Sequence, residues 1–178
     1  MSGSGESGSD ERPAWFARRE IAPFKLDDEA VNALINKASH ASVSWVTKNQ
    51  EPVSAIMLYV MVDGVITVTS TTNRAKYHAW RRNPAACFNI WDPQNIGHQV
   101  TLRGRIEIMQ DAELLRKFTE GFLTRAMGQA PSEERLQEEI AKFDAPDRHM
   151  MQLHIDKVLS HDLNSLLKAE AEGTDVWS

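Results

Sequence analysis

The spacing of hydrophobic residues predicts one short helix followed by a series of strands. Val31, Leu34 and Ile35 recur at the three- and four-residue spacing of an amphipathic helix, and Asp27 or Asp28 can serve as its N-cap. The segments after this helix are rich in β-branched and aromatic residues, and turn residues separate them. They predict strands over residues 41–47, 53–62, 65–69, 86–91 and 98–109.

Three local signals indicate where these strands turn, end or bend. Asp63-Gly64 between two strands predicts a tight hairpin. Asn83-Pro84 predicts the end of a short helix over residues 74–82, because a residue before proline is disfavoured in helical conformation. Gly104 interrupts the alternation of its strand and predicts a bulge or a bend.

The second half of the chain is predicted to be mainly helical. Helical spacing runs from Asp111 to Met127, and a second helix follows Ser132. Residues 163–171 predict a terminal helix. Between the last two helices, a final strand is predicted from the alternation of Met151, Leu153 and Ile155.

This order of elements predicts an α+β, mainly β fold: an antiparallel split β-barrel with flanking helices. Residues 1–13 are Ser, Gly and charged residues and predict a disordered tail, with one split-barrel domain over residues 14–178. The tail matches the dinucleotide pattern GxGxxG between Gly3 and Gly8. No strand is predicted before this match and no helix directly after it, so it is not interpreted as a cofactor site.

The composition of the chain argues against a protein held together by disulfides and against one with a transmembrane helix. The chain has 178 residues and a formal net charge of −5, and a chain of this length can bury a core without disulfides or a structural metal. Its single cysteine, Cys87, excludes an intramolecular disulfide and a CxxC site, and it favours a reducing cytoplasm. No apolar run reaches the ~18 residues that a transmembrane helix needs.

The usual catalytic patterns are absent from the sequence: HExxH, GxSxG, a Walker A loop and a CxxC pair. The histidines closest in sequence are His149, His154 and His161. They lack the spacing of metal ligands, so no metal site is expected. Paired glutamates at residues 133–134 and 138–139 predict a solvated helix face.

One segment concentrates hydroxyls and cations in an otherwise acidic protein. Thr69 and Ser70 end a predicted strand, and Arg74 and Lys76 begin the short helix that follows. The free N–H groups and the positive dipole end of a helix start attract anions, so the segment predicts a phosphate cradle. A solvent-exposed basic helix is the alternative. The patch is too short to favour nucleic acid.

The order of segments around this stretch resembles the pyridoxamine 5′-phosphate oxidase-like split-barrel family, which binds flavins. Two stretches carry the resemblance, and it covers roughly residues 26–162. In residues 69–84 a strand-end Thr is followed by Arg-x-Lys and by Asn-Pro. In residues 98–107 a Gln-Val start at Gln99 is followed by Gly-x-x-Glu at Gly104.

The resemblance implies FMN as the cofactor, with the deazaflavin F420 as the alternative. Lys76 and Thr69 would contact the cofactor phosphate with Arg74 close by, and Gln99 would face the isoalloxazine or ribityl group. The residues expected at the cofactor are Thr69, Ser70, Arg74, Lys76, Trp91 and Gln99.

The resemblance also implies an oxidoreductase that transfers hydride to or from a small organic substrate. Because the cofactor ring carries such chemistry, no catalytic motif is needed in the protein. A non-catalytic flavin or haem carrier is the alternative. A homodimer with the cofactor between subunits is expected, since four aromatic residues near the site are more than one small barrel should expose. They are Trp45, Tyr59, Trp80 and Trp91.

The end of the chain sets it apart from authentic pyridoxamine 5′-phosphate oxidases, which finish with Arg and His residues that hold the substrate. Residues 163–178 contain one lysine and neither Arg nor His. Ser54 and Tyr59 also stand where the oxidases have Arg and Lys. We therefore expect a different substrate, unless other cations take over the second phosphate site; the candidates are Arg103, Arg105 and Arg148.

Overall fold

Seven strands and five helices make up residues 24–172, the part of the chain that the computed structural model describes. The strands are β1 (His40–Val46), β2 (Pro52–Leu58), β3 (Val60–Val62), β4 (Val65–Thr71), β5 (Ala85–Asp92), β6 (Asn95–Met109) and β7 (Arg148–Asp162). The helices are α1 (Asp28–Lys37), α2 (Ala75–Arg82), α3 (Ala112–Met127), α4 (Glu133–Phe143) and α5 (Leu163–Ala171).

The strands form one antiparallel sheet in the order β2-β1-β5-β6-β7-β4-β3. Its two edge strands, β2 and β3, are separated in the chain by Tyr59 alone. Because one residue cannot span a flat seven-stranded sheet, the sheet must curl until its edges meet. This geometry confirms the predicted split β-barrel.

Alternating residues of the strands fill the barrel with hydrophobic side chains. Val43, Phe88, Ile90 and Leu102 are fully buried there, and Trp80 of α2 packs into the same cluster. A second, smaller cluster forms where α3 covers β3. It contains Val60, Val62, Leu114, Leu115, Phe118 and Met150.

The segment predicted as one strand over residues 53–62 is two strands that meet at Tyr59. The Tyr59 hydroxyl donates to the carbonyl oxygen of Ile35 at 2.6 Å, and its backbone N–H donates to Ser39 at 3.0 Å. At this residue the chain leaves its pairing with β1 and begins to pair with β4. The hydrophobic pattern continues across the break, which is why the sequence predicts a single strand.

The predicted turn and bulge are both confirmed. Asp63 and Gly64 have positive φ angles of 49° and 81°, as the central residues of a type I′ hairpin turn require. The register of β6 against β7 shifts between Arg103 and Gly104. Asp156 of β7 is the extra residue of this bulge, because its neighbours pair with Arg103 and Gly104.

The last strand is longer than predicted, since it spans Arg148–Asp162. Met151 and Leu153 are buried, but Ile155 is 44% exposed. The extra residue Asp156 follows directly and reverses the alternation beyond it, so Ser160 is the next buried residue of the strand. β4 also continues to Thr71, two residues past the predicted end.

The structure bears on two further expectations. The predicted tail over residues 1–13 lies outside the described residues. Within residues 24–172, none of the helices has both the length and the apolar composition needed to cross a membrane.

Candidate functional site

The strand β4 delivers two of the expected site hydroxyls to the start of α2. Thr69 Oγ1 donates a hydrogen bond to the His149 carbonyl oxygen at 3.1 Å, across the β4–β7 pairing. Ser70 is buried, and its hydroxyl contacts the Thr71 carbonyl oxygen at 3.5 Å. Both side chains are therefore held in place by the backbone of the barrel.

The cations Arg74 and Lys76 lie at a helix start that no side chain caps. Arg74 occupies the N-cap position of α2, and the first turn contains no acidic residue. The other four helices described here have N-caps whose side chains accept a backbone N–H; these caps are Asp27, Asp111, Ser132 and Asp162. The start of α2 thus keeps its positive dipole end and adds two cations to it.

Neither Arg74 nor Lys76 has a carboxylate partner within residues 24–172. Partial burial, followed by repulsion from Arg74, lowers the pKa of Lys76. Both effects disfavour the charged lysine, and a bound anion would reverse them. The arrangement suits an anionic group that arrives from outside the chain.

Trp91 and Gln99, the other two expected residues, form a directly opposed pair on β5 and β6. His40 and Leu58 form a similar pair on β1 and β2. The pairing of Ser42 with Asn89 joins β1 to β5, and extending its register by two residues sets His40 opposite Trp91. Gln99, Trp91, His40 and Leu58 therefore follow one row across four strands.

The closure of the barrel brings Thr69, with the cradle residues that follow it, to the Leu58 end of this row. Gln99 lies at the other end. Leu58 and Thr69 line the same cavity, although their strands are not neighbours in the sheet order. Strands lie about 4.8 Å apart, so Gln99 is roughly 15 Å from Leu58 along the row. A cofactor that reaches from Lys76 to Gln99 would cross the ends of β1 and β2.

The residues that depart from the oxidase pattern differ in their surroundings. Ser54 is exposed on β2. Tyr59 is fully buried, and burial raises its pKa to about 12 despite the charge of Arg125 nearby. Tyr59 is therefore a core residue, and it offers nothing to a cofactor at the surface.

Three of the four aromatic residues expected to be exposed near the site are buried. Trp45, Tyr59 and Trp80 fill the core, where Trp45 and Trp80 stack edge to face with ring centroids 6.1 Å apart. Trp91 is the one of the four that remains half-buried. Strand periodicity sets three of these rings inside the barrel, so they do not indicate a surface that needs a partner.

The three histidines do not form a cluster, and the first glutamate pair lies on an exposed helix face. His149 is half-buried with its ring 4.8 Å from that of Tyr77, and His161 is also half-buried. His154 lies 2.7 Å from Glu107, and both side chains are exposed. Hydrogen bonds from Arg116, and then from Gln137, lower the pKa of Glu133 to about 2. Residues 24–172 contain no group of three His, Cys, Asp or Glu side chains placed to hold a metal ion.

Arg148 is the site residue that sequence analysis understated. It is half-buried at the start of β7, and its Nη1 lies 3.4 Å from Thr69 Oγ1. Its guanidinium stands over the ring of Phe143, 5.2 Å from the centroid. Arg103 and Arg105, the other cations considered, are exposed on β6. A lone cation at a strand start gives no periodic signal, and only the β4–β7 pairing brings it to Thr69.

A curled antiparallel sheet with a cationic, uncapped helix start beside its split edge defines the split-barrel class of proteins. The chain belongs to the pyridoxamine 5′-phosphate oxidase family, which it matches over residues 27–162. No curated protein shows a significant match to the sequence.

Solved structures with the same fold have low sequence identity to the chain. A conserved hypothetical protein from Mycobacterium tuberculosis superposes with a TM-score of 0.72 at 18% identity, covering 82% of this chain and 90% of that protein. An F420 reductase gives 0.53 at 22% identity, with coverage of 72% and 94%. An FAD-binding protein from Mesorhizobium loti gives 0.52 at 18% identity, with coverage of 76% and 92%.

Proposed function

We propose that this protein is a flavin-dependent oxidoreductase that binds FMN and transfers hydride to or from a small organic substrate. The observation that carries the proposal is the pair Arg74 and Lys76 at the uncapped start of α2, two cations that no carboxylate of the described part of the chain neutralises. In a member of this family, such a pair suits the phosphate of a mononucleotide cofactor. The cofactor ring, when bound, supplies the hydride chemistry.

The residues of this chain bind and orient the cofactor in this proposal. Lys76 and Arg74 hold the phosphate, and the hydroxyl of Thr69 lies beside them. Trp91 and Gln99 face the ring end, where a half-buried indole supplies an apolar contact and an amide supplies hydrogen bonds. Ser70 supports the cradle from the barrel side, since its own hydroxyl is buried.

We also propose a two-fold homodimer that covers the cofactor. Small, uncharged side chains occupy the outer face of β2, β1 and β5, and Ile56 lies there with 59% of its surface exposed. On β6 the same face also carries the exposed cations Arg103 and Arg105. The row from Leu58 to Gln99 runs along this face, so a second copy packed against it would cover the ring end. The residues of the face include Ser42, Ser44, Ile56, Cys87, Asn89 and Thr101.

F420 in place of FMN is the second candidate for the cofactor. We propose a cytoplasmic location with either cofactor. The small number of cations at the cradle counts against tight binding of FMN, since Ser54 and Tyr59 replace two of the oxidase residues, and F420 is the alternative on the same fold. A flavin or haem carrier without turnover has the same cradle but needs no substrate space. The cavity beside Thr69 favours an enzyme over a carrier.

The absorption spectrum of the purified full chain, with identification of any released cofactor, tests the proposal first. Titrations of Lys76→Ala with FMN and with F420 follow. Charge-assisted hydrogen bonds are worth about 1.5 to 3 kcal/mol, so the affinity for the true cofactor should fall roughly ten-fold or more. Lys157→Ala, an exposed lysine on β7, is the matched control. Unchanged affinity of Lys76→Ala for both cofactors contradicts the proposal.

A further inference from the structure

A small cavity beside the proposed cofactor cradle has aromatic walls and lies next to one cation. It has a volume of about 290 Å³ and opens between the barrel and the helices α3 and α4. Three phenylalanines form its helical wall, and β2 and β4 form the other wall. Its lining residues are Met57, Leu58, Thr69, Phe118, Phe122 and Phe143.

The aromatic rings are arranged to receive a flat apolar group. Phe143 meets both Phe118 and Phe122 edge to face, with centroid distances of 6.4 Å and 5.9 Å and interplanar angles of 86°. Phe122 and Phe143 are half-buried and line the cavity, whereas Phe118 is only 2% exposed. Offset or edge-to-face contacts with a further ring are favourable in such a setting.

Arg148 lies next to this cavity and lines the neighbouring one. Its guanidinium stands over Phe143, and its Nη1 lies 3.4 Å from Thr69 Oγ1, so it borders two of the residues that line the aromatic cavity. Its Nε is buried without a hydrogen-bond acceptor, and its Nη2 has none among residues 24–172. A guanidinium with unused donors beside an apolar space is unfavourable unless an acceptor completes it.

The described residues, 24–172, do not provide that acceptor. No carboxylate of residues 24–172 lies within 4.0 Å of the Arg148 guanidinium. Asp111 and Asp144 line a neighbouring cavity with Arg148, but Asp111 accepts the backbone N–H of Leu114 as the cap of α3. The nearest side-chain partner is the hydroxyl of Thr69, which already donates to a carbonyl oxygen.

We infer that this cavity binds a small aromatic carboxylate, with the ring among the phenylalanines and the carboxylate on Arg148. Guanidinium and carboxylate match in charge and in planar geometry. The volume is at the lower end for ligand sites, so it suits a ligand of one or two rings. Identification of this ligand as the substrate rests on the proposed function, because Thr69 lies in both sites.

The test compares two probes of similar shape, 2-naphthoate and 2-naphthalenemethanol, titrated into the full chain and followed by probe fluorescence. We expect the carboxylate to bind at least ten-fold more tightly than the alcohol. Arg148→Gln should abolish that preference and leave the alcohol affinity within two-fold, which also shows that the variant is folded. Arg105→Gln, an exposed arginine on β6, should keep the preference.

A second variant tests the apolar half of the site. Phe122→Ala should weaken both probes by about the same factor, because it removes ring contact and leaves the cation. The inference is overturned if neither probe binds, if the two probes bind equally, or if the preference survives in Arg148→Gln.

FMN titration separates this inference from the proposed function. If Arg148→Gln weakens FMN as much as Lys76→Ala does, Arg148 belongs to the cofactor cradle and the inference is overturned. If wild-type protein binds neither FMN nor F420 but keeps the carboxylate preference, the proposed function fails and the carboxylate site stands.

Discussion

Gly104 of β6 lies directly against the backbone of His154 in β7. A Cβ atom at residue 104 would collide with the His154 carbonyl oxygen, which belongs to the main chain and cannot rotate away. The close approach occurs at the bulge where Asp156 is the extra residue. Glycine is required at residue 104 because the neighbouring strand lies too close for a Cβ atom. The φ angle of Gly104 is not in the left-handed region that favours glycine.

Gly104→Ala should therefore lower the free energy of unfolding by about 2 to 3 kcal/mol, since the two longest strands must separate to admit a methyl group. Urea unfolding at pH 7 measures the loss. Gly97→Ala is the matched control: its Cβ would meet the side chain of Asn164, which can change rotamer. A loss for Gly104→Ala no larger than that for Gly97→Ala would show that the bulge absorbs the methyl group.

The buried hydroxyl of Tyr59 makes the stability of the protein sensitive to alkaline pH. Burial raises the Tyr59 pKa from 10.0 to about 12, so an unfolded chain loses this proton at lower pH than the folded one. The contribution is complete below pH 10 and is lost as the pH rises to about 12. We expect stability to fall by about 2 kcal/mol over this interval from this group.

Tyr59→Phe should remove that alkaline decline. At neutral pH the variant loses about 1 kcal/mol, because the Ile35 carbonyl oxygen loses its 2.6 Å hydrogen bond. Urea unfolding at pH 8 and pH 11 gives both quantities. Equal pH dependence in the variant and the wild type would mean that Tyr59 ionises in the folded protein as readily as in the unfolded chain.

Local chemistry explains why most of the fold could be predicted from the sequence. Asp63-Gly64 and the Asn83-Pro84 helix end each depend on residues next to one another, and Gly104 interrupts the alternation of its own strand. The break at Tyr59 could not be predicted, because it reflects a change of pairing partner while the hydrophobic pattern continues. The extra residue Asp156 could not be predicted either, because it is recognised only from the pairing of β7 with β6.

The residues of the candidate site likewise include some that local sequence indicates and one that only strand pairing brings to the site. Thr69, Arg74 and Lys76 lie within eight positions of the chain, and their clustering could be recognised directly. Arg148 joins them through strand pairing across 79 positions of sequence. Single-sequence patterns hold no information on that pairing, so the cavity and its cation emerge only in the fold.

The proposed dimer can be tested at Ile56, on the outer face of β2. Because this side chain is 59% exposed, Ile56→Glu should leave the protomer folded, but it places a charge in the proposed interface. Light scattering at micromolar concentration should give a dimeric mass for the wild type and a lower mass for the variant, together with weaker cofactor binding. Met127→Glu, at the exposed end of α3, is the control. A monomeric wild type would contradict the dimer.

The last prediction concerns the substrate, and it is that pyridoxamine 5′-phosphate is not turned over. A dianionic phosphate needs cations of its own besides those that hold the cofactor. In α5 the only basic residue is Lys168, which is exposed and whose Nζ lies 3.8 Å from Glu172 Oε1. Arg103 and Arg105 are exposed on β6, which leaves Arg148 as a single half-buried cation near the cradle.

The assay supplies pyridoxamine 5′-phosphate and oxygen to the FMN-loaded protein and follows formation of the aldehyde. We expect no product above the background of free FMN, and turnover near a common enzymatic rate of ~10 per second would refute the prediction. Arg148→Gln decides the remaining ambiguity. If the wild type shows slow turnover that this variant abolishes, Arg148 holds a substrate phosphate, and the protein is closer to the authentic oxidases than the composition of its last helix indicates.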